Sequence, residues 1–392
     1  MKAVLRHADG RLEQARAPWL ISAEGTHSIV RTTLDLQFEG KTLAEDYALG
    51  DVHIDGDLPA TDFHIFSSEH GFMGLFPMGG RHFRLIASHP LSKPSKDTAP
   101  ALAELQEIYD QRSHIPARFR ELVWSSWFRI NSRMVSRLKI GRLLLGGDAA
   151  HIHSPAGAQG MNTGIQDMIN LGWKLALVMK GQAPATLLDT YEQDRLPVMR
   201  NVLTKTEALT DVIGSENPVV RSLLNHLGPW IGGAGIVQKN ATARMSQIAL
   251  GYRDSPLSAD LAHDGGLYAG DRVPDFRVRT RSNDGWRDEA LSTVLDPSRF
   301  VLLVLCPDEA GTPPPSLTDV VRPWAGLIRT VNISATADEA PRARFQETFG
   351  RSAGVFLVRP DGYLGLAAGE PAAAGHLRAY CHRWLTAPDH AL

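Results

Sequence analysis

The stretch "LLLGGDAAHIHSPAGAQGMN", residues 143–162, gathers an apolar run, one carboxylate, two imidazoles and four glycines. Asp148, His151 and His153 are legitimate metal-ligand types. Their H-x-H pair, however, lies in a Gly/Pro loop, with no further Cys, His or Glu nearby in sequence to complete a site. No metal is therefore expected, and the histidines read as packing or solvent groups of a strand-to-helix connection. An organic cofactor accounts for more of the residues. An apolar strand ending in Gly-Gly-Asp sets the Asp148 carboxylate at the carboxyl edge of an open α/β sheet, where it can accept hydrogen bonds from sugar-like hydroxyls. Gly157 and Gly160 let the backbone approach a flat ring system. The helix that follows points free N–H groups from its first turn, favouring an anion by about 0.3–1 kcal/mol when exposed and up to ~2 when partly buried. Phosphate is the weaker candidate, because the loop has no Lys or Arg to pair with it.

These residues need a strand before them and a helix after them. "RLLLGGD" has the apolar run of a buried strand. From Met161 to Lys180 the pattern is helical, with Ile165, Met168, Ile169, Gly172, Leu175, Ala176 and Met179 on one face and Gly181 as the stop. Upstream, "KAVLRH", the turn "ADG" and "RLEQARA" alternate as a hairpin, and "PWLIS" continues as a short strand. Short strands dominate from about residue 36 to 130, interrupted by one helix, "APALAELQEIYDQR". Residues 186–250 read as mostly helical, with Pro197 kinking the first helix and "GGAG" at 232–235 ending another. Beyond residue 265, "RFVLLVLCPD", "GLIRTVNIS", "GVFLVRPDGYLGLAAG" and the helix "AGHLRAYCHRWL" form a separate α/β pattern. The division expected is thus 1–35 with 136–182, then 36–135, 183–264 and 265–392. No internal repeat is seen.

A chain of 392 residues can bury more than one core, and 43% apolar with 21% charged residues is ordinary for a globular protein. A formal net charge of −2 gives no field to attract nucleic acid or an anionic membrane, so small molecules are the expected partners. Cys306 and Cys381 form no C-x-x-C pair, which argues against a disulfide framework or a cysteine zinc site and suits the cytoplasm. The N-terminus lacks the apolar core of a leader, and no run approaches the ~18 apolar residues of a membrane span. No G-x-S-x-G arrangement favours a hydrolase.

Residues 141–198, from "GRLLLGGDAAHIHSPAGAQGMN" through "YEQDRLPV", resemble the second FAD fingerprint of the class A flavoprotein aromatic hydroxylases, the group of phenol, para-hydroxybenzoate and polyketide hydroxylases. The match is continuous, and so far more specific than a lone glycine motif. It implies that Gly147 and Asp148 meet the ribityl chain, and that Pro155, Gly157, Gly160, Met161 and Asn162 meet the isoalloxazine ring. "WLISAEGTHSIVR" is similar to the family's Asp-Gly fingerprint: Gly25, Ser28 and the cofactor-region Arg31 match, while the longer Glu24 stands in place of Asp. The resemblance makes FAD the cofactor and NADPH or NADH the co-substrate, with one oxygen atom of O2 delivered to an electron-rich aromatic or polyketide ring. The hard chemistry is then the cofactor's, and the protein positions the ring and excludes water.

By the same resemblance the sheet module is the substrate floor. Phe66, Phe72, Phe76 and Phe83 are its aromatic candidates, although alternating aromatics are first of all what a half-buried sheet contains. "LFP" at 75–77 is similar to a family segment near the flavin, which favours Phe76 and Pro77; with Phe72 they are the pocket residues expected. His64 and His70 could assist phenol deprotonation; turn histidines in solvent is the plainer reading. The C-terminal part is similar to the thioredoxin-like domain of the phenol and polyketide hydroxylase branch, without a dithiol.

One family element has no counterpart, since no G-x-G-x-x-G occurs in the sequence. The fold expected is α/β with α+β insertions: an incomplete FAD-binding Rossmann-like domain, a sheet-rich substrate domain and a thioredoxin-like domain. "PWLIS" and "RLLLGG" would each lack sheet neighbours and expose apolar edges. The chain alone should bind FAD weakly, because the sequence is a fragment or mis-started reading frame, or because a complementing N-terminal chain supplies the missing half, or because the chain works without tightly bound FAD; a homo-oligomer is the other partner expected. A non-catalytic homologue that binds a ligand or partner is the alternative.

Overall fold

The computed structural model describes residues 1–89, 98–154, 159–213, 247–261, 266–282, 285–306, 314–334, 344–345, 347–350, 354–369 and 372–387. Pro155, Gly157 and the "GGAG" at 232–235 lie outside the described residues. The chain opens with the expected hairpin, β1 (Lys2–Arg6) and β2 (Leu12–Arg16), closed through Gly10 at φ +83°. A three-residue strand β3 (Leu20–Ser22) leads into the one-turn helix α1 (Ile29–Thr33).

Next comes the sheet module: β4 (Phe38–Gly56), β5 (His64–Ser68), β6 (Gly71–Gly79), β7 (His82–His89), α2 (Leu102–Arg112) and β8 (Ala117–Val135). The chain then returns through β9 (Lys139–Ile140) and β10 (Leu143–Leu145), a 3₁₀ turn at Gly147–Ala149, and β11 (His151–Ile152). Two long helices follow, α3 (Gly160–Met179) and α4 (Asp189–Ile213), the latter accommodating Pro197 in its interior.

Three layers matter for the site. A small sheet of order β3-β10-β9 pairs β3 parallel to β10, Leu20 opposite Leu143, so both strands end at the same edge. The six-stranded sheet β11-β8-β4-β7-β6-β5 packs one face on α2, where Val52, Ile54, Leu75, Phe83 and Leu85 meet Leu105 and Ile108. The link between the two sheets is β11, whose His151 stands opposite Met134 of β8.

The third layer is a seven-stranded sheet built from β12 (Ala259–Asp260), β13 (Arg277–Ser282), β14 (Gly285–Ala290), β15 (Phe300–Cys306), β16 (Ile328–Ser334), β17 (Val355–Val358) and β18 (Leu364–Ala368). Its helices are α5 (Leu291–Val294), α6 (Pro315–Val321) and α7 (Ala373–Trp384). Every residue of β15, "FVLLVLC", is buried. Its alternate side chains enter two separate cores, Phe300, Leu302 and Val304 on one face, Val301, Leu303 and Leu305 on the other. Such a strand needs cover on both sides. β15 and β16 run parallel across α6, β17 and β18 form an antiparallel hairpin, and α7 closes the order, an arrangement consistent with a thioredoxin-like unit. Cys306 and Cys381 are unpaired and buried, and burial pushes the Cys381 thiol up to about 12.

The structure corrects one expectation. "RLLLGG" does not lack neighbours: β10 is flanked by β3 and β9, and Leu143, Leu144 and Leu145 are buried. β3, the strand of "PWLIS", remains an edge strand of this sheet, with β9 at the other edge. The apolar stripe of α3 faces inward only in part. Leu175 and Met168 pack partly inward, but Ile165 and Ile169 are 48% and 44% exposed. The residues that α3 buries include Asp167, Asn170 and Lys174.

Candidate cofactor and substrate site

The parallel pairing of β3 and β10 continues one step, with the Gly146 N–H donating to Ser22 O at 3.0 Å. The chain then turns sharply at Gly147, φ +57°, a left-handed conformation that glycine adopts without the Cβ clash. Helix α3 comes so close that a Cβ on Gly164 would lie 3.2 Å from Gly147 Cα. Asp148 consequently stands exposed at the carboxyl edge of the strand pair, with no hydrogen-bond partner among the described residues.

Arg31 braces this turn from beside it, and Glu24 closes the neighbouring turn into α1. Arg31 is buried; its Nη1 donates to Ala149 O at 2.9 Å, Nη2 donates to Thr26 O, and the guanidinium lies 3.9 Å from the Phe38 ring centroid. Both its terminal nitrogens are thus committed to backbone. Burial pulls the Arg31 pKa below its ordinary value, with Glu24 opposing. Glu24 accepts from Ser22 Oγ at 2.7 Å, from Ser28 Oγ at 2.6 Å and from the Val30 amide at 3.1 Å. Burial acts to raise its pKa, yet those hydrogen bonds prevail and hold the carboxyl at about 2. The longer acid therefore keeps a bonding role, closing the turn into α1.

Helix α3 begins at Gly160 with no side-chain cap from Gln159. Met161 is 78% exposed, and Asn162 is half-buried. A groove lined by Ala23, Gly147, Met161, Gly164, Ile165, Met168 and Ile169 runs along the helix beside the turn. His151 Nε2 lies 2.9 Å from Asp167 Oδ2, and His153 Nδ1 lies 3.0 Å from Ser154 O. Both imidazoles are therefore engaged by the protein, and no group of three ligand-type side chains could hold a metal among the described residues.

Sequence reasoning passed over a buried charge cluster behind the turn. Asp167 Oδ2 accepts from the Gly147 N–H at 3.0 Å, and Asp167 Oδ1 accepts from Arg195 Nε at 2.7 Å. Beside it, Asp194 accepts from Lys174 Nζ at 2.8 Å, Asn170 Nδ2 at 2.9 Å and Arg359 Nη2 at 3.1 Å. Asp361 accepts from Trp173 Nε1 at 3.0 Å. Burial alone would raise the Asp167 and Asp194 pKa values, but the facing cations outweigh it and hold both below the usual carboxylate range. Burial likewise pushes the Lys174 ammonium down to about 8 against the pull of Asp194. The signal available in sequence was the spacing of Asp167, Asn170 and Lys174, which share one face of α3.

On the sheet, the antiparallel register aligns one face in rows. Trp124, Asp51, Arg84 and Phe76 form one row; Ser126, Leu49, Ile86, Gly74 and Ile65 form the next. The Asp51–Arg84 pair is bidentate at 2.8 and 2.9 Å, and the Arg84 hydrogen bond holds Asp51 below its ordinary pKa. Phe72, Phe76 and Phe63 converge over Gly74, where a Cβ would meet their rings at 3.4, 3.3 and 3.7 Å. Phe66 and Phe83 point the other way, into the core against α2. Pro77 is half-buried at the irregular end of β6. His64 Nε2 sits 3.0 Å from Pro59 O, and His70 is an exposed turn residue.

Comparison with known proteins accords with this architecture. The FAD binding domain family matches residues 1–206, and the family described as aromatic-ring hydroxylase, C-terminal, matches residues 267–388. The chain is 34% identical over 372 residues to 6-methylpretetramide 4-monooxygenase of Streptomyces rimosus, covering 91% of this chain and 64% of that one. It is 31% identical to pentachlorophenol 4-monooxygenase of Sphingobium chlorophenolicum, covering 94% and 69%. Among solved structures, OxyS anhydrotetracycline hydroxylase from Streptomyces rimosus superposes with a TM-score of 0.74 at 27% identity, covering 98% of this chain and 72% of that one. The chain belongs to the FAD-dependent aromatic-ring hydroxylase family and spans about two thirds of the length of these curated relatives. No helix among the described residues is long and apolar enough to cross a membrane.

Proposed function

We propose that this chain supplies the ribityl and ring-binding half, the substrate sheet and the C-terminal unit of an FAD-dependent monooxygenase acting on an aromatic or polyketide ring. The observation that carries the reading is Asp148. An exposed carboxylate without a hydrogen-bond partner among the described residues, set at the edge of a parallel strand pair beside a helix start that Gln159 does not cap, fits a sugar-alcohol chain whose hydroxyls donate to it. When bound, FAD supplies the exchange of electrons with NADPH or NADH and the activation of O2. The N–H groups at Gly160–Asn162 lie at the positive end of α3 and stabilise negative charge on a ring seated there. Arg31 holds Ala149 O beside Asp148, and Glu24 closes the adjacent turn into α1.

Phe72, Phe76 and Phe63 over Gly74 supply a water-excluding wall for a flat substrate, with Pro77 at its rim and the Asp51–Arg84 pair as its polar neighbour. The open β3 edge and the exposed Ile165 and Ile169 are the surface a complementing N-terminal chain or segment would cover. FAD titration followed by flavin fluorescence, with NADPH or NADH oxidation recorded with and without a supplied N-terminal half, tests the reading. Asp148→Ala is expected to weaken FAD binding roughly tenfold or more, the scale of lost hydrogen bonds to a charged acceptor. Gly74→Val should raise KM for the substrate and leave flavin affinity unchanged. FAD affinity that is indifferent to Asp148 would overturn the assignment.

A further inference from the structure

Asp148 has no hydrogen-bond partner among the described residues, so its aim depends on how the backbone of the Gly147–Ala149 turn is held. That backbone has few anchors. Ala150 N–H closes the turn onto Gly147 O at 2.8 Å, and Arg31 holds Ala149 O. The Gly147 N–H, at the residue with positive φ, donates to the Asp167 carboxylate. Asp167 is fully buried, and its other oxygen is fixed by Arg195 Nε. Arg195 in turn spends Nη2 on Thr163 O at 3.1 Å and Nη1 on Tyr252 Oη at 2.9 Å. Tyr252 belongs to the segment leading into the C-terminal sheet. Its ring lies 4.4 Å from that of Tyr363, and the Arg359 guanidinium lies 5.2 Å from it. A continuous chain of hydrogen-bonded and packed groups therefore runs from the β17–β18 turn to the backbone that aims Asp148.

We propose that Asp167 is a positioning residue for the Gly147–Ala149 turn, and that Arg195 and Tyr252 tie its carboxylate to the C-terminal unit, so that the seating of that unit sets the turn's geometry. A carboxylate buried only for stability has no need to hold a left-handed glycine. Asp167 holds that glycine and His151 with one oxygen and the arginine with the other. A tyrosine elsewhere in the same unit supplies the contrast: Tyr380 is equally buried, but its Oη donates to Leu257 O at 2.9 Å, and it makes no hydrogen bond to Asp167 or Arg195 among the described residues. The proposal rests on reading the turn as the cofactor's ribityl site, but its test does not require flavin.

Amide hydrogen exchange on the full chain, followed by mass spectrometry, reads residues 143–154 against residues 300–306 and 355–358 of the C-terminal sheet. In Asp167→Asn, exchange at 143–154 should rise about tenfold with the sheet segments unchanged, as expected for loss of one charge-assisted hydrogen bond. In Tyr252→Phe, which removes only the hydroxyl, it should rise several-fold at 143–154. In Tyr380→Phe, exchange at 143–154 should not change. A rise in Tyr380→Phe equal to that in Tyr252→Phe, a rise shared in proportion by the sheet segments, or no change in Tyr252→Phe overturns the proposal. Should Asp167→Asn fail to fold, the two tyrosine variants decide. Loss of FAD binding in Asp148→Ala bears on the cofactor reading alone, so the two can fail separately.

Discussion

Helix α3 has two faces that reverse the usual order. The one bearing Asp167, Asn170, Trp173 and Lys174 is buried, and the one bearing Ile165, Ile169 and Met179 looks outward. The buried face is tolerable because each charge meets an opposite one at hydrogen-bond distance, with Arg195, Asp194 and Arg359 arriving from α4 and the β17–β18 turn. Three acids (Asp167, Asp194, Asp361) balance three bases (Lys174, Arg195, Arg359). Such pairs add little net stability, since desolvation offsets most of their attraction, but they are costly to break and admit one arrangement only. The outward face is the opposite case, with apolar area in water that a partner can remove. One helix therefore carries a fixed joint on one side and an unfilled surface on the other.

The contrast can be broken most severely at Asp194. Asp194→Ala leaves Lys174 and Arg359 facing each other without their shared carboxylate, and should cost about 3–5 kcal/mol in urea unfolding. A loss below about 1 kcal/mol would mean that water reaches the cluster.

Lys174 gives a pH signature. Its folded pKa is lowered to about 8, so between that value and the ordinary lysine value of roughly 10.4 the unfolded chain binds more protons, and stability from this group rises with pH. The gain reaches roughly 3 kcal/mol at most and is complete above the unfolded value. The difference in unfolding free energy between wild type and Lys174→Met, compared at pH 7.5 and 9.5, should show it; a pH-independent difference would contradict a lowered lysine.

Trp173→Phe removes one donor to Asp361 and keeps the ring packing against Phe300, so a loss of about 1–2 kcal/mol is expected in the same assay. At the small end, Ile165→Gln should change stability by less than about 0.5 kcal/mol in the isolated chain. The same substitution should weaken capture of a supplied N-terminal half in a pull-down. If it destabilises the isolated chain by more than 1 kcal/mol, the outward face is already covered.

Much of this was legible in the sequence because it depends on local chemistry. The hairpin over residues 1–16, the helix at Leu102–Arg112 and the Gly160–Met179 helix follow from turn residues and apolar spacing. Gly-Gly-Asp at a strand end placed Asp148 at an exposed edge, and alternation placed Phe72 and Phe76 together on one face of β6. Alternation could not say which face was which. Phe66 and Phe83, equally aromatic, went to the core because α2 packs on their side.

The inward direction of α3 was hidden for the same reason. Periodicity locates a stripe, and hydrophobicity assigns it inward only when no partner can neutralise the opposite one. Those partners, Arg195, Asp194 and Arg359, lie far along the chain, and only the approach of α4 and the β17–β18 turn gives Asp167 and Lys174 their counter-charges. By itself the sequence determined which segments are strands and helices, and which acid stands at the end of β10, since these depend on neighbours a few residues apart. The tertiary structure alone decided which side of each element faces inward and what grips the Gly147 turn. Desolvation and ion pairing depend on groups that meet only after the chain has folded.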